Sequence, residues 1–471
     1  MSRIFSFLTV AAVALTSAFG VAVAQTAHPA AQPDLKKEPT LYVVGYAHLD
    51  TEWRWEYPQV IDEYIPNTMH DNFSLFEKYP HYIFNFSGAN RYRFMKEYYP
   101  ADFAKVQKYV AEGRWFPAGS SMEEGDVNAP SAESIIRQIL YGNDWFRKNF
   151  DGRYSEEYML PDCFGFPADL PTILAHSGVK GFSTQKLTWG SSAPGGGPDS
   201  MEKTPEGTPF NVGVWTGPDG ESVVAALNPG SYSGGIDTDL SQPLPPMAPD
   251  AALQKAEQQM KDLRSRLEEA DSAGQLTEDD VQQFMALRNE IEGLRKVRDE
   301  DQLERFQGDW AGRVQNNGKV TGVFTDYHYF GTGDIGGAPD EDSVRRLEAI
   351  VTKGQTSMPP ANYVYFRGMK HPEWAPTQVG DGPVHIVSAT ADQMFKDLTP
   401  SEASALPHYT GEMELTNHSA GSLTSQAYQK RWLRHEEVLA DAAEKASGAA
   451  MWMGERSYAR ARLNRAWTLV L

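Results

Sequence analysis

The sequence holds a single cysteine, Cys163, among 471 residues. No intramolecular disulfide can form, and a cysteine-based zinc cluster is excluded. Basic residues are scarce: 43 lysines and arginines stand against 63 aspartates and glutamates, for a net charge of −20. Nucleic acid is therefore excluded as the main partner, because phosphate binding needs basic patches. Past the N-terminus no apolar run approaches the length that spans a bilayer. The glycine-rich stretch YFGTGDIGGAPDEDS (329–343) lacks the GK[ST] ending of a phosphate loop.

What is present suffices for a large core. With 41% hydrophobic and 11% aromatic residues, the chain can build one large α/β domain and a second unit. Arg3, a long apolar run and AVA at 22–24 read as an export signal over residues 1–24. The run is near spanning length, so a membrane anchor is the alternative. An exported protein would work in a periplasm or outside the cell. Residues 25–39 read as a polar, proline-containing linker.

From residue 40 strand-like and helix-like pieces alternate. LYVVGYA, HYIFNFSG, EEYMLPD and VKGFSTQK read as strands. FAKVQKYVAEG, ESIIRQILYGNDWFRKNF and ADLPTILAHSG read as helices. Such alternation means parallel strands in an α/β sheet or barrel, with the site at their carboxyl ends. Residues 187–247 read as long loops with one strand-like piece at VGVWTGPDGESVVAAL. Residues 251–300 carry apolar positions at helical spacing, Leu253 to Leu267 and Phe284 to Leu294, with Thr277 and Asp280 as a capping box. They read as an inserted antiparallel helical hairpin. GKVTGVFTDYHYF (318–330) returns to strand character, and residues 426–471 look helical.

Four short stretches could carry chemistry. In AHLDTEWRW (47–55), His48 and Asp50 are two apart and share one side of an extended segment, which suits a zinc ion. The plain alternative is a solvated strand end. In LPDCFGFPADLP (160–171), Asp162 ends a strand before a sharp turn. It suits a ligand or nucleophile, or else an Asx-turn. Asp334 lies between glycines in 329–343, and His418 among small hydroxyl residues in MELTNHSAGSLTSQ (413–426). Both also read as ordinary loop residues. Cys163 reads as a small buried hydrophobe.

Taken together these stretches resemble glycoside hydrolase family 38, the class II α-mannosidases. AHLDTEWRW, VAEGRWFPAGSSMEEGDVNAPSAES, LPDCFGFPADLP, YFGTGDIGGAP and HSAGSLTSQAYQKRW follow in the family's order. The resemblance implies a barrel-like α/β domain of about seven parallel strands over residues 40–425, then the start of a helical bundle at 426–471. It implies one zinc ion held by His48, Asp50 and Asp162. Asp162 would also be the nucleophile and Asp334 the acid/base, with mannose-containing glycans as substrate. Trp53, Asp126, Lys186 and His418 match substrate-side positions.

The match also departs from the pattern. The family's fourth zinc ligand is a histidine just past a helix resembling RLNRAWTLVL, and Leu471 ends that stretch here. The resemblance therefore implies a longer reading frame. Two other classes stay open: an inactive sugar-binding remnant and a metal-dependent polysaccharide deacetylase. The deacetylase needs an H-x-x-x-H pair after the first strand. No second histidine follows His48 until His70.

Overall fold

The computed structural model describes residues 32–195, 204–359, 374–454 and 457–471. The signal segment 1–24 and the first half of the linker lie outside the described residues. The end of the linker does not hang free: Leu35 is fully buried, and its carbonyl accepts from Phe324 N at 2.7 Å.

Twelve strands are described. They are β1 (Thr40–Ala47), β2 (Phe84–Ser87), β3 (Trp115–Ala118), β4 (Glu157–Met159), β5 (Gly181–Ser183), β6 (Val212–Thr216), β7 (Ser222–Ala226), β8 (Thr325–Thr332), β9 (Gln355–Ser357), β10 (Pro376–Gln378), β11 (His385–Ser388) and β12 (His408–Thr410). One sheet is wholly parallel. β1 is its centre, with β8 along one edge and β11 then β2 along the other, and β3 follows β2. The second sheet runs β12-β6-β7-β5-β4 and is parallel except for the β6–β7 hairpin. Helices such as Ala132–Asn149 and Glu341–Val351 connect the strands.

β1 explains how the sheets meet. All eight of its residues are buried, as expected for a parallel strand covered on both faces. Leu41, Val43 and Ala47 join a core shared with the helices. Tyr42, Val44 and Tyr46 point the other way. They share a second core with Ala118, Met159, Val212, Val214, Tyr327 and Tyr329, drawn from both sheets. The inner faces thus pack together, but among the described residues no ladder joins the sheets. β3 and β4 are neighbours without hydrogen-bonded pairing. The sequence expectation of seven parallel strands in a barrel becomes two five-stranded sheets around a common core.

Two sequence readings shift. The single strand-like piece at 212–227 is a hairpin, because the turn residues 217–221 reverse the chain between β6 and β7. Residues 318–321 end the helix Trp310–Thr321, whose Ala311, Val314 and Gly318 are buried at helical spacing. Gly322 stops it in a left-handed conformation (φ 79°), and β8 begins only at Thr325.

The hairpin comprises Ala251–Ser272 and Glu278–Gly308. Its capping box at Thr277 and Asp280 is complete. Glu257 meets Arg295 and Arg266 meets Gln283, the opposed register of an antiparallel pair. Leu253, Ala256, Met260 and Ile291 form a core of its own, with Phe284, Leu287 and Leu294 packed against it.

Beyond the hairpin, Arg313 is fully buried. It grips Asp326 through Nε and Nη2 at 2.9 and 3.2 Å and donates to Asn228 O at 2.6 Å. This ties the helix Trp310–Thr321 to β8. Removing only the carboxylate strands a buried cation. Asp326→Ala should therefore cost about 3–5 kcal/mol, read from urea unfolding. Replacing both partners by apolar residues should cost much less.

Candidate functional site

Every side chain of the candidate site lies at or just past the carboxyl end of a strand. His48 follows β1, Asp162 follows β4 by three residues, Lys186 follows β5 by three, and Asp334 follows β8 by two. Glu124 and Tyr232 come from the loops after β3 and β7. This is where parallel sheets leave unpaired backbone and open space.

His48, Asp50, Asp162 and Asp334 each present one ligand atom within 4.8 Å of all the others. His48 is buried, and its Nε2 has no hydrogen-bond partner. Asp50 Oδ1 and Asp162 Oδ2 stand 3.4 and 3.5 Å from that nitrogen. Those gaps are long for hydrogen bonds. They fit ligands sharing one ion, since bonds of about 2.1 Å in a tetrahedral set place the ligand atoms about 3.4 Å apart. The donor set, one imidazole and three carboxylates, could hold a divalent ion.

Two glycines let these loops close up. Gly165 sits in the turn after Asp162 with φ +107°, and a Cβ there would meet Glu414 Oε2 at 2.5 Å. Gly331 in β8 lies against β1, where a Cβ would fall 1.7 Å from Tyr46 O. That close approach brings Asp334 beside Asp50. Asp334 itself is left-handed at φ 68°, a conformation aspartate tolerates better than most residues. Asp50 N donates to Asp334 O, and Gly336 N to His48 O, both at 2.8 Å.

Charge around the cluster is balanced from behind. Lys186 is buried and its Nζ contacts Asp162 Oδ1. It lies 3.6 Å from the centre of the Trp189 ring. Burial lowers its ammonium to about 8, although Asp334 and Asp50 pull it upward. His48 Nδ1 faces Glu124 Oε2 at 2.9 Å. Burial works against its charged form, but Glu124 and Asp50 outweigh that and raise the imidazole to about 9. Tyr232 OH bridges two carboxylates, 3.1 Å from Asp162 Oδ2 and 2.9 Å from Asp334 Oδ1.

The remaining sequence candidates lie further out. Trp53 is 55% exposed, edge-on to Trp55 and covered on one face by Arg54. His418 is exposed and meets Trp189 edge-to-face at 4.3 Å. Asp126 is outside the cluster: its Oδ1 accepts from Asn128 N at 2.7 Å and holds a turn. The carboxylate that reaches the cluster from this loop is Glu124. Cys163 is buried, and burial pushes its thiol well up. Glu124, Arg91 and Tyr232 were not singled out from sequence. The adjacent pair Glu123–Glu124 after an apolar strand was the available signal for the first.

Comparison with known proteins places the chain. Residues 38–355 match the glycosyl hydrolases family 38 N-terminal domain. The chain belongs to glycosyl hydrolase family 38. Within family 38 it is 34% identical over 198 residues to alpha-mannosidase G of Dictyostelium discoideum, 42% of this chain and 17% of that protein. It is 31% identical over 199 residues to human alpha-mannosidase 2C1, 42% of this chain and 18% of that one. The match thus spans less than a fifth of those relatives. The family fold extends to a solved alpha-mannosidase of Enterococcus faecalis, with a TM-score of 0.53 at 16% identity over 92% of this chain and 38% of that one.

A divalent ion needs an unprotonated His48 Nε2. With the imidazole at about 9, the metal-free protein carries His48 protonated at pH 7. Metal uptake at pH 7 should therefore release about one proton, and apparent affinity should climb from pH 7 to about 9 and then level off. Calorimetry in buffers of different ionisation enthalpy measures this. Uptake without proton release at pH 7 would contradict the assignment.

Proposed function

We propose that this chain is the catalytic part of a zinc-dependent, retaining α-mannosidase that removes terminal α-mannosyl residues from glycans outside the cytoplasm. The observation that carries the reading is the pair Asp162 and Asp334, joined through Tyr232 OH at the edge of the His48 cluster. Retention needs two carboxyl groups about 5–5.5 Å apart. One oxygen of each lies within 4.8 Å of the other.

Hydrogen counting supports the division of labour. Tyr232 has one hydroxyl hydrogen but faces two carboxylates, so the arrangement is complete only when one carboxyl brings a hydrogen of its own. Asp162 faces the Lys186 ammonium, which favours its ionised form. Asp334, the other carboxyl across Tyr232 OH, takes the role of general acid. A zinc ion held by His48, Asp50 and Asp162, with Asp334 beside them, would add positive charge and an anchor for sugar hydroxyls.

In this scheme Asp162 attacks the anomeric carbon as the glycosidic C–O bond breaks, and Asp334 gives its proton to the departing oxygen. Asp334 then takes a proton from water, which releases the sugar from Asp162. Trp53 offers an apolar ring face to the pyranose. Trp189 lies over Lys186 Nζ and meets His418 edge-to-face, and Asp126 holds a turn just past Glu124.

Hydrolysis of 4-nitrophenyl α-mannoside tests the reading. Asp162→Ala should abolish turnover. Asp334→Ala should lose about 10²–10⁴-fold on glycans, but far less on a dinitrophenyl mannoside, whose leaving group needs no proton. Equal losses on both substrates would remove Asp334 from the acid role. Absence of turnover by the zinc-loaded wild type would favour the sugar-binding remnant instead.

A further inference from the structure

We infer that Glu124 is a positioning residue that fixes His48 for its metal ion, and that Arg91 holds Glu124 to that task. The inference rests on the metal-binding reading above. The side chains of Glu124 and Arg91 are each 3% exposed, so this carboxylate is nearly dry and must be satisfied by protein groups.

Its two oxygens divide the work. Oε2 faces His48 Nδ1 at 2.9 Å. Oε1 accepts the hydroxyls of Tyr46 and Ser87 and lies 3.4 Å from Arg91 Nη1. Arg91 is itself anchored on backbone. It donates to Ser87 O at 3.0 Å and to Leu49 O at 2.5 Å. Leu49 is the residue between His48 and Asp50, so one guanidinium fixes both the metal-side turn and the carboxylate behind it.

Imidazole has two nitrogens, and a hydrogen bond at one decides the state of the other. Once metal uptake has removed the Nε2 proton, the hydrogen left on Nδ1 stands beside Glu124 Oε2 at 2.9 Å and Tyr46 OH at 3.4 Å, and the Nε2 lone pair faces Asp50 and Asp162. The other tautomer would set the Nδ1 lone pair against a carboxylate. Glu124 therefore selects the ligating tautomer and locks the ring plane, the role that a carboxylate behind a metal-bound histidine fills. The competing account is that Glu124 only neutralises the buried Arg91.

Two variants separate these accounts, each read by zinc(II) competition against a chromophoric chelator and by the visible spectrum of the cobalt(II)-loaded chain. Glu124→Gln keeps the shape and removes the charge, and should weaken zinc binding about 10–100-fold. Glu124→Asp keeps the charge but draws both oxygens back by one methylene, from His48 and from Tyr46, Ser87 and Arg91 alike. It should also weaken zinc binding and alter the cobalt bands. If Glu124→Gln fails to fold, Glu124→Asp decides. Wild-type affinity and spectra in the folded variants would overturn the inference and leave Glu124 as a partner of Arg91 alone. If the wild-type chain binds neither zinc nor cobalt, the metal reading fails first and the inference falls with it.

Discussion

The molecule is organised around an excess of negative charge at the end of its central strand. Asp50, Asp162, Asp334 and Glu124 converge there, and Lys186 and Arg91 are the basic side chains facing them. Carboxylates this close repel strongly where little water reaches them. Lys186 and Arg91 offset part of that, His48 takes up a proton, and Tyr232 supplies a hydrogen to the pair at the rim. A divalent ion at His48 Nε2 would offset more. The arrangement is expensive for folding and is what a site for positive charge requires.

The fold makes that convergence possible without a closed barrel. β1 is buried on both faces, so its end cannot wander. Its partners in the same sheet deliver Ser87 and Asp334 to the same level. The second sheet delivers Asp162 and Lys186 because its inner face packs on Tyr42, Val44 and Tyr46. The sheets are joined by side-chain packing. Residues at the seam such as Met159 and Tyr329 therefore set the distance between Asp162 and His48, and a cavity there would be felt at the site.

How much of this was legible in the sequence depends on range. His48 and Asp50 declare themselves through a spacing of two on an extended segment, and Asp162 through a strand end before a turn. Both are local patterns, and the resemblance tied them together. Glu124, Arg91 and Tyr232 act through contacts 33 to 102 positions away, Glu124 for Arg91 and Asp334 for Tyr232. No periodicity marks such pairs. Asp126 was the candidate read from this loop, in the run EEGDVN, and its Oδ1 accepts from Asn128 N and Ala129 N. The count of strands was also out of reach. β9, β10 and β12 are three residues each, too short for alternation to register, and their pairing depends on tertiary packing.

The hairpin follows a different logic. It leaves the domain after the loop that carries Tyr232 and returns just before the helix that carries Arg313. A 58-residue excursion could transmit its own motion to both neighbours. Its core of Leu253, Ala256, Met260 and Ile291 is separate from the other clusters, so its two helices pack mainly on each other. At its root Arg305 Nη2 donates to Pro245 O at 2.6 Å, and Arg313 binds Asp326 and Asn228 O. These bonds close the base between the arm and β8. The arm's last turn meets the same guanidinium, with Gln307 O 3.4 Å from Arg313 Nη1, so the hairpin is anchored to the base of the strand that precedes Asp334 while its own core stays separate.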